Sequence, residues 1–171
     1  MVIITKWIDR KFDFNFPIGV FPWIVERLRG TPARIEELVK TIPLSGLTKK
    51  PDSKWSIQEN IGHLIKVEEL HNNRIDDFLA KKEILIPADM ENRRTHDADY
   101  NSQNIESILK SFRVVRMNFV KRLEELDEDI IARSSHHPRL NTRMRLIDMA
   151  YFAAEHDDYH LAVITHLSRK L

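Results

Sequence analysis

The sequence contains no cysteine among its 171 residues. This absence excludes disulfides, thiolate metal ligands and cysteine nucleophiles, and it is typical of a cytosolic protein. No apolar run approaches the length of a membrane span. Charged residues interrupt the N-terminal stretch MVIITKWIDRKFDF, so a signal peptide is not expected. We therefore expect a soluble cytoplasmic protein that does not associate with a membrane.

An excess of charge of one sign is also lacking. Lys and Arg number 27 and Asp and Glu number 26, which gives a formal net charge of +1. A balance of this kind predicts no nucleic-acid partner. The four glycines and the apolar fraction of 42% are ordinary for a globular protein. The length predicts a single domain over residues 1–171.

Apolar residues recur at helical spacing in four stretches of the chain. The first predicted helix is split, because Thr31 and Pro32 have the character of an N-cap and a first helical residue within it. Pro43 is expected to end this helix. Residues 1–17 are expected to be extended and anchored by aromatic side chains at Trp7, Phe12, Phe14 and Phe16.

The other three predicted helices have long apolar seams. The second follows a capping box formed by Ser56 and Glu59 and continues to about residue 81. The third covers about 102–126, and the fourth starts near Thr142 and continues almost to the C-terminus. Residues 82–101 form an unusually long connection, and twenty residues can travel the ~30 Å length of a bundle helix. The pattern predicts an all-α four-helix bundle with up-down-down-up topology, in which 82–101 is a crossover between the parallel second and third helices.

Two histidines lie on the apolar seam of the fourth predicted helix. His156 and His160 are four residues apart in EHDDYHLAVITHL, so their side chains share one face. Two imidazoles that face a core are costly unless a partner takes up their nitrogens. Hydrogen-bonded core histidines are one interpretation, and two ligands of one metal ion are the other.

His63 is the candidate for a third ligand. It lies ~10 Å from the start of the second helix by helical rise, and His160 lies roughly 15 Å from the end of the fourth. In an antiparallel pair of helices these two levels nearly coincide. Three histidines would leave an open coordination position, as in catalytic metal sites. The pair Glu68 and His71 has the E-x-x-H spacing of di-iron bundles, but no second such pair is present.

Three other features have competing interpretations. Glu59 lies one turn before His63, so it is either a catalytic base that also orients His63 or simply part of the capping box. Arg74 returns to the face of His63, where a buried ion pair with a carboxylate is favoured over a site for an anionic group. The basic stretch from Arg139 to Arg145 is expected to be a solvated loop at the opposite end of the bundle, with His136 and His137 in the same loop.

The segments WSIQENIGHLIKVEEL and HHPRLNTRMRLIDMAYFAAEHDDYHLAVITHL resemble the two characteristic motifs of the DinB/YfiT-like metalloenzyme superfamily. The resemblance covers nearly the whole chain. It implies a four-helix bundle that holds a divalent metal ion, often nickel or zinc, by three histidines, which by position are His63, His156 and His160. It also implies a homodimer. Superfamily members include thiol-dependent S-transferases and a maleylpyruvate isomerase. At the position where many members carry a further histidine before the last ligand, this sequence has Tyr159.

These observations favour a metal-dependent transferase or hydrolase that acts on a small-molecule substrate. A metal ion with three neutral imidazoles lowers the pKa of bound water or ionises a low-molecular-weight thiol. The alternatives are a non-catalytic metal-binding bundle of the stress response, in which the ion only pins two helices, and a metal-free interaction bundle.

Overall fold

Four long helices dominate the computed structural model, which describes residues 3–51 and 54–171. The long helices are α1 (Phe21–Val39), α3 (Ile57–Leu79), α5 (Ile105–Glu124) and α7 (Leu146–Ser168). Between them lie the short helices α2 (Leu44–Leu47), α4 (Arg93–Asp97) and α6 (Glu128–Ile131), and the strands β1 (Ser134–His137) and β2 (Thr142–Arg145). Within these residues, no helix is both long enough and apolar enough to cross a bilayer.

Pairs of contacting side chains define the relative directions of the long helices. Along α3 and α5, Glu68 contacts Arg116, and further on Asp76 contacts Arg122, so the two helices are parallel. The hydrogen bond from His160 to Asn60 places the end of α7 against the start of α3, so these two helices are antiparallel. The predicted four-helix bundle and its long crossover are therefore confirmed.

The first long helix is continuous, and the prediction that it is split at Thr31 and Pro32 was wrong. Pro32 lies inside α1 and cannot donate a backbone hydrogen bond to the carbonyl of Leu28. The guanidinium of Arg116 donates to that carbonyl instead, with Nη1 3.2 Å from the oxygen. Thr31 is fully buried, and its hydroxyl donates to Asp157 rather than capping a helix. A partner from α5 thus compensates for the missing N–H of the proline.

The predicted start of the fourth helix near Thr142 was also wrong. Residues 142–145 form β2, which pairs antiparallel with β1, so that Ser134 lies opposite Arg145 and His137 opposite Thr142. The helix begins after Arg145, where the Asp148 carboxylate accepts the backbone N–H of Arg145 at 2.8 Å. The stretch expected to be a solvated loop is therefore a hairpin folded against the bundle.

The N-terminal segment is extended apart from short 3₁₀ turns at Trp7–Asp9 and Ile18–Val20. Its predicted aromatic anchors are partly buried against the core formed by α1, α3, α5 and α7. The guanidinium of Arg10 forms an ion pair with Glu155, which fastens this segment to α7. Through Trp7 the segment reaches the level of the histidines, as described below.

Candidate metal centre

The three histidines singled out from the sequence lie together in the bundle interior. One ring nitrogen each from His63, His156 and His160 can be chosen so that all three lie within 4.8 Å of one another. The residues are 7%, 7% and 4% exposed, respectively. Among the described residues, this is the one group of histidine and acidic side chains with metal-site spacing. Antiparallel packing of α3 and α7 brings the three side chains to the same level, as expected from the sequence.

Hydrogen bonds orient two of the three rings. The Asn60 side-chain nitrogen donates to the carbonyl of Ser56 at 2.7 Å, so the Asn60 oxygen is the acceptor for His160 Nδ1 at 2.8 Å. His160 therefore carries its proton on Nδ1, and its Nε2 lone pair points to His156 Nε2, 3.2 Å away. On the other side, His63 Nδ1 lies 3.2 Å from the hydroxyl of Thr95. The free nitrogens of the rings thus converge.

Burial keeps all three imidazoles neutral at neutral pH. Burial, with smaller contributions from His71 and His96, lowers the pKa of His63 to about 4. Burial and neighbouring imidazoles hold the pKa values of His156 and His160 well below the usual range. Neutral imidazole is the form that coordinates a metal ion. The site therefore presents metal-binding lone pairs over the physiological pH range.

Two tryptophans line the site. The ring centroid of Trp55 lies 4.7 Å from that of His63, and the ring centroid of Trp7 lies 4.8 Å from that of His156. Trp55 directly precedes Ser56, the N-cap residue of α3, and Trp7 belongs to the N-terminal segment. These apolar rings limit the access of water to the imidazoles, which strengthens electrostatic interactions within the site.

Gly62, the residue before His63, is required by close packing. A Cβ at this position would overlap the ring of Tyr100, which packs onto this turn of α3. Tyr100 is 5% exposed and lies at the end of the crossover. The glycine therefore allows the crossover to close over α3 next to the histidine.

Glu59 is engaged in the helix cap and in an ion pair. One carboxylate oxygen accepts the backbone N–H of Ser56 at 2.8 Å, and the other lies 2.6 Å from Nζ of Lys50. Burial alone would raise the pKa of Glu59, but the Lys50 and Ser56 contacts outweigh it and lower the pKa. The capping box is thus confirmed, and a catalytic role for Glu59 stays a prediction.

A buried ionic network below the histidines was missed from the sequence. Arg116 is 1% exposed and forms ion pairs with Glu68 of α3 and Asp157 of α7. Burial alone would raise the pKa of Glu68, but Arg116 and His71 outweigh it and lower the pKa. Glu68 therefore belongs to this network, which is consistent with the absence of a second E-x-x-H pair.

This network joins all four long helices at one level, because Arg116 also donates to Leu28 of α1. Asp157 directly follows His156, so the network also determines how α7 is rotated and how far along the bundle it lies. The proline inside α1 was the available signal in the sequence, since a proline within a helix leaves the carbonyl four residues earlier without its backbone donor.

Two interpretations of basic residues were wrong. Arg74 is buried as expected, but it donates through Nε and Nη2 to the carbonyl of Ile86. Among the described residues, no carboxylate forms an ion pair with it. Arg139 is half-buried, and its Cζ lies 5.3 Å from the ring centroid of Phe152. His137, expected in an open loop, is 1% exposed. The hairpin carries these groups back towards the bundle core.

Comparison with known proteins shows which family the sequence matches and which solved structures have a similar fold. A family model described as the DinB superfamily matches residues 27–164. The structure of YfiT from Bacillus subtilis, described as a probable metal-dependent hydrolase with an unusual four-helix bundle topology, is similar with a TM-score of 0.82 and 20% identity, over 94% of this chain and 93% of that chain. A mycothiol-dependent maleylpyruvate isomerase is similar with a TM-score of 0.68 and 10% identity, over 86% of this chain and 60% of the other. No curated protein sequence matches.

Proposed function

This chain belongs to the DinB superfamily, and we propose that it is a metal-dependent enzyme in which His63, His156 and His160 bind one divalent ion. The observation that carries the proposal is the convergence of three buried imidazoles, with ring nitrogens within 4.8 Å of one another. Nickel and zinc are the proposed ions. The superfamily membership and the resemblance to YfiT, itself described as a probable metal-dependent hydrolase, support the assignment.

The donor set fits a tetrahedral ion. Two ligands that are each ~2.0–2.1 Å from one zinc ion lie roughly 3.3 Å apart in tetrahedral geometry. The Nε2 atoms of His156 and His160 are 3.2 Å apart. The lone pair of His160 Nε2 is directed at His156 Nε2, so either the proton of His156 or a cation lies between these two atoms. A divalent ion satisfies both and uses the lone pair of His63 as the third ligand.

Asn60 and Thr95 support this donor set by holding the rings. The carbonyl oxygen of Asn60 keeps the proton of His160 on Nδ1, so Nε2 stays available. The hydroxyl of Thr95 lies 3.2 Å from His63 Nδ1, which leaves Nε2 of that ring for the ion. Outer hydrogen bonds of this kind orient metal-binding imidazoles and raise their basicity.

The proposed chemistry is that of a thiol-dependent S-transferase or a hydrolase. A divalent ion held by three neutral ligands keeps its full charge, so it acts as a Lewis acid that favours the ionised form of a water or a low-molecular-weight thiol. The protein contributes by orienting the imidazoles and by excluding bulk water with Trp7 and Trp55. An external thiol suits a chain without cysteine. The mycothiol dependence of one structural neighbour supports this direction.

A non-catalytic metal-binding bundle remains the competing proposal. It predicts that a protein carboxylate closes the coordination sphere, because structural metal sites are fully ligated by protein. Among the described residues, no acidic side chain joins the three histidines, which favours a site with an open position. We also propose a homodimer and a cytoplasmic location.

Metal analysis of purified variants tests the proposed ligands. We expect His63→Ala, His156→Ala and His160→Ala each to lose stoichiometric metal. His166→Ala is the matched control, because His166 lies on the same helix α7, is partly exposed and is outside the cluster. Stoichiometric metal in all three cluster variants would refute the proposal.

A substrate screen separates catalysis from structural metal binding. The metal-loaded protein is incubated with cellular thiols and electrophilic substrates, and with ester and amide substrates without thiol. We expect turnover in one of these sets that disappears in the His156→Ala variant. Full metal occupancy without turnover, together with a fourth protein ligand in X-ray absorption spectra, would instead support the non-catalytic alternative. Glu59→Gln tests the predicted base: a lower turnover at unchanged metal content and unchanged thermal stability is expected for a catalytic role.

A further inference from the structure

A second group of buried polar side chains lies at the hairpin. It consists of Arg74 from α3 and His137 and Arg139 from the hairpin, and we call it the donor cluster. Arg74 and His137 are 2% and 1% exposed, and Arg139 is half-buried. Nothing in the proposed metal chemistry uses these three side chains.

The cluster presents hydrogen-bond donors. The backbone N–H of Leu140 donates to His137 Nδ1 at 3.2 Å, so the proton of this neutral imidazole is on Nε2. His137 Nε2 and Arg139 Nη2 are buried and have no hydrogen-bond partner among the described residues. A buried donor without an acceptor costs free energy. These two donors of the cluster are therefore unsatisfied within the described residues.

No acidic side chain forms an ion pair with Arg74 in the described part of the chain. The carboxylate whose charge acts on it is Asp77, and both oxygens of that carboxylate are already engaged. One lies 2.7 Å from Nζ of Lys82, and the other accepts the backbone N–H of Ile86 at 2.7 Å. Burial, followed by the charge of Arg139, lowers the pKa of Arg74 to about 10 despite the attraction of Asp77. The guanidinium is thus held in the interior without a partner of opposite charge.

Aromatic rings hold Arg139 in place. Its Cζ lies 5.3 Å from the ring centroid of Phe152 and 5.9 Å from that of Trp7. The ring centroids of His137 and Phe152 are 5.6 Å apart. Cation–π contacts of this kind stabilise an arginine that has no carboxylate partner. They leave Nη2 of Arg139 buried without a hydrogen-bond acceptor among the described residues.

The donor cluster lies one helical turn from the metal centre. Phe152 precedes His156 by four residues on α7, which corresponds to roughly 6 Å along the helix axis. Trp7 joins the two regions, because its ring centroid lies 4.8 Å from those of both Phe152 and His156. A molecule a few bonds long would span this distance.

We propose that Arg74, His137 and Arg139 bind an oxyanion of the substrate, a carboxylate or a phosphate group, and so position its reactive atom at the three histidines. The guanidinium of Arg139 supplies the hydrogen bonds that such a group binds to an oxyanion, and His137 Nε2 supplies a further donor. Arg74, whose Nε and Nη2 donate to the carbonyl of Ile86, contributes its positive charge. The substrate class is a small organic acid or phosphate ester that carries its reactive atom a few bonds from the anionic group. The positioning role rests on the proposed function, whereas anion binding does not depend on it.

Isothermal titration of the purified protein with succinate and with inorganic phosphate tests the proposal. Because an ionic hydrogen bond typically contributes a factor of ~10–100 to an equilibrium constant, we expect Arg139→Gln to weaken binding by about that factor. Metal content measured in the same samples should not change. Arg143→Gln is the matched control, since this exposed arginine lies on the same hairpin and donates to Ser134. It should bind like the wild type.

Further variants and probes keep the outcomes distinct. If Arg139→Gln does not fold, Arg139→Lys retains the charge but not the planar fork, and weaker binding is again expected. The probe that binds more tightly to the wild type, and more weakly to the Arg139 variant, identifies the anionic group as a carboxylate or a phosphate. Equal binding by the Arg139→Gln and Arg143→Gln proteins would overturn the proposal, as would equal binding of succinate and neutral succinamide. Failure of the metal assignment would appear separately, as unchanged metal content in the histidine variants.

Discussion

Replacing Arg116 by Met would expose the energetic role of the buried ionic network. The substitution removes the one cation that contacts both Glu68 and Asp157, whose residues are 0% and 1% exposed. Breaking a buried ion pair by removing one partner costs about 3–5 kcal/mol, because an uncompensated charge remains. The carbonyl of Leu28 also loses the hydrogen bond that Arg116 donates to it. For a chain of this size, that cost lowers Tm by roughly 6–20 °C.

The pH dependence of this loss provides a second signature. In the wild type, the lowered pKa of Glu68 means that its stabilising contribution is present above the unfolded pKa of about 4.5 and is lost as pH falls through the folded value. In Arg116→Met, burial without the arginine raises the pKa of Glu68, so the folded state binds the proton first. The difference in stability between the two proteins should therefore be largest near neutral pH and shrink on acidification.

Urea denaturation at several pH values measures both effects. The control is Arg113→Met, because Arg113 forms an ion pair with Glu36 in which both side chains are partly exposed, at 43% and 33%. Exposed pairs of this kind contribute about 0–1 kcal/mol. The reasoning is refuted if Arg116→Met loses no more stability than Arg113→Met, or if its deficit grows as pH falls.

Three further predictions concern the surroundings of the metal centre. In metal-free protein, the pKa of His63 is lowered to about 4 from 6.5. The unfolded state therefore binds the proton first, and denaturation curves should show about 3 kcal/mol less stability from His63 as pH falls from 6.5 to 4. His63→Phe should show a smaller acid loss than the wild type, because only His156 and His160 of the cluster still titrate there. Gly62→Ala should lower stability by ~1–3 kcal/mol despite the better helix propensity of Ala, because its Cβ overlaps Tyr100; unchanged urea midpoints would contradict this packing. Asn60→Leu should weaken metal affinity ~10–100-fold in chelator competition, since His160 loses its orienting acceptor, and wild-type affinity would count against the orienting role.

The helical periodicity and the crossover length were sufficient to predict the bundle and its direction changes. Local errors arose where a residue has a role that depends on a distant partner. Pro32 has the appearance of a helix start when it is considered with its neighbours alone. Inside α1 it is tolerated because Arg116 from α5 donates to the carbonyl of Leu28, which the proline leaves without a backbone donor. In the same way, Thr142 to Arg145 pair with β1 instead of forming the first turn of α7.

The candidate site divides along similar lines. The spacing of His156 and His160 places both on one helix face, and helical rise brings His63 to their level, because regular helices convert sequence separation directly into position. The donor cluster could not be predicted in this way. Arg74 and Arg139 are separated by 65 positions in the sequence, and the hairpin between α6 and α7 decides their relation.

The sequence by itself thus determined the helical bundle, its topology and the convergence of the three histidines. Each of these follows from local periodicity, chain length or the fixed rise of a helix. Only the tertiary structure decided where the buried charges lie: Arg116 between Glu68 and Asp157, and Arg74 with Arg139 at the hairpin. Which buried charge finds a partner depends on the packing of several segments at once, and no spacing within one segment encodes that outcome.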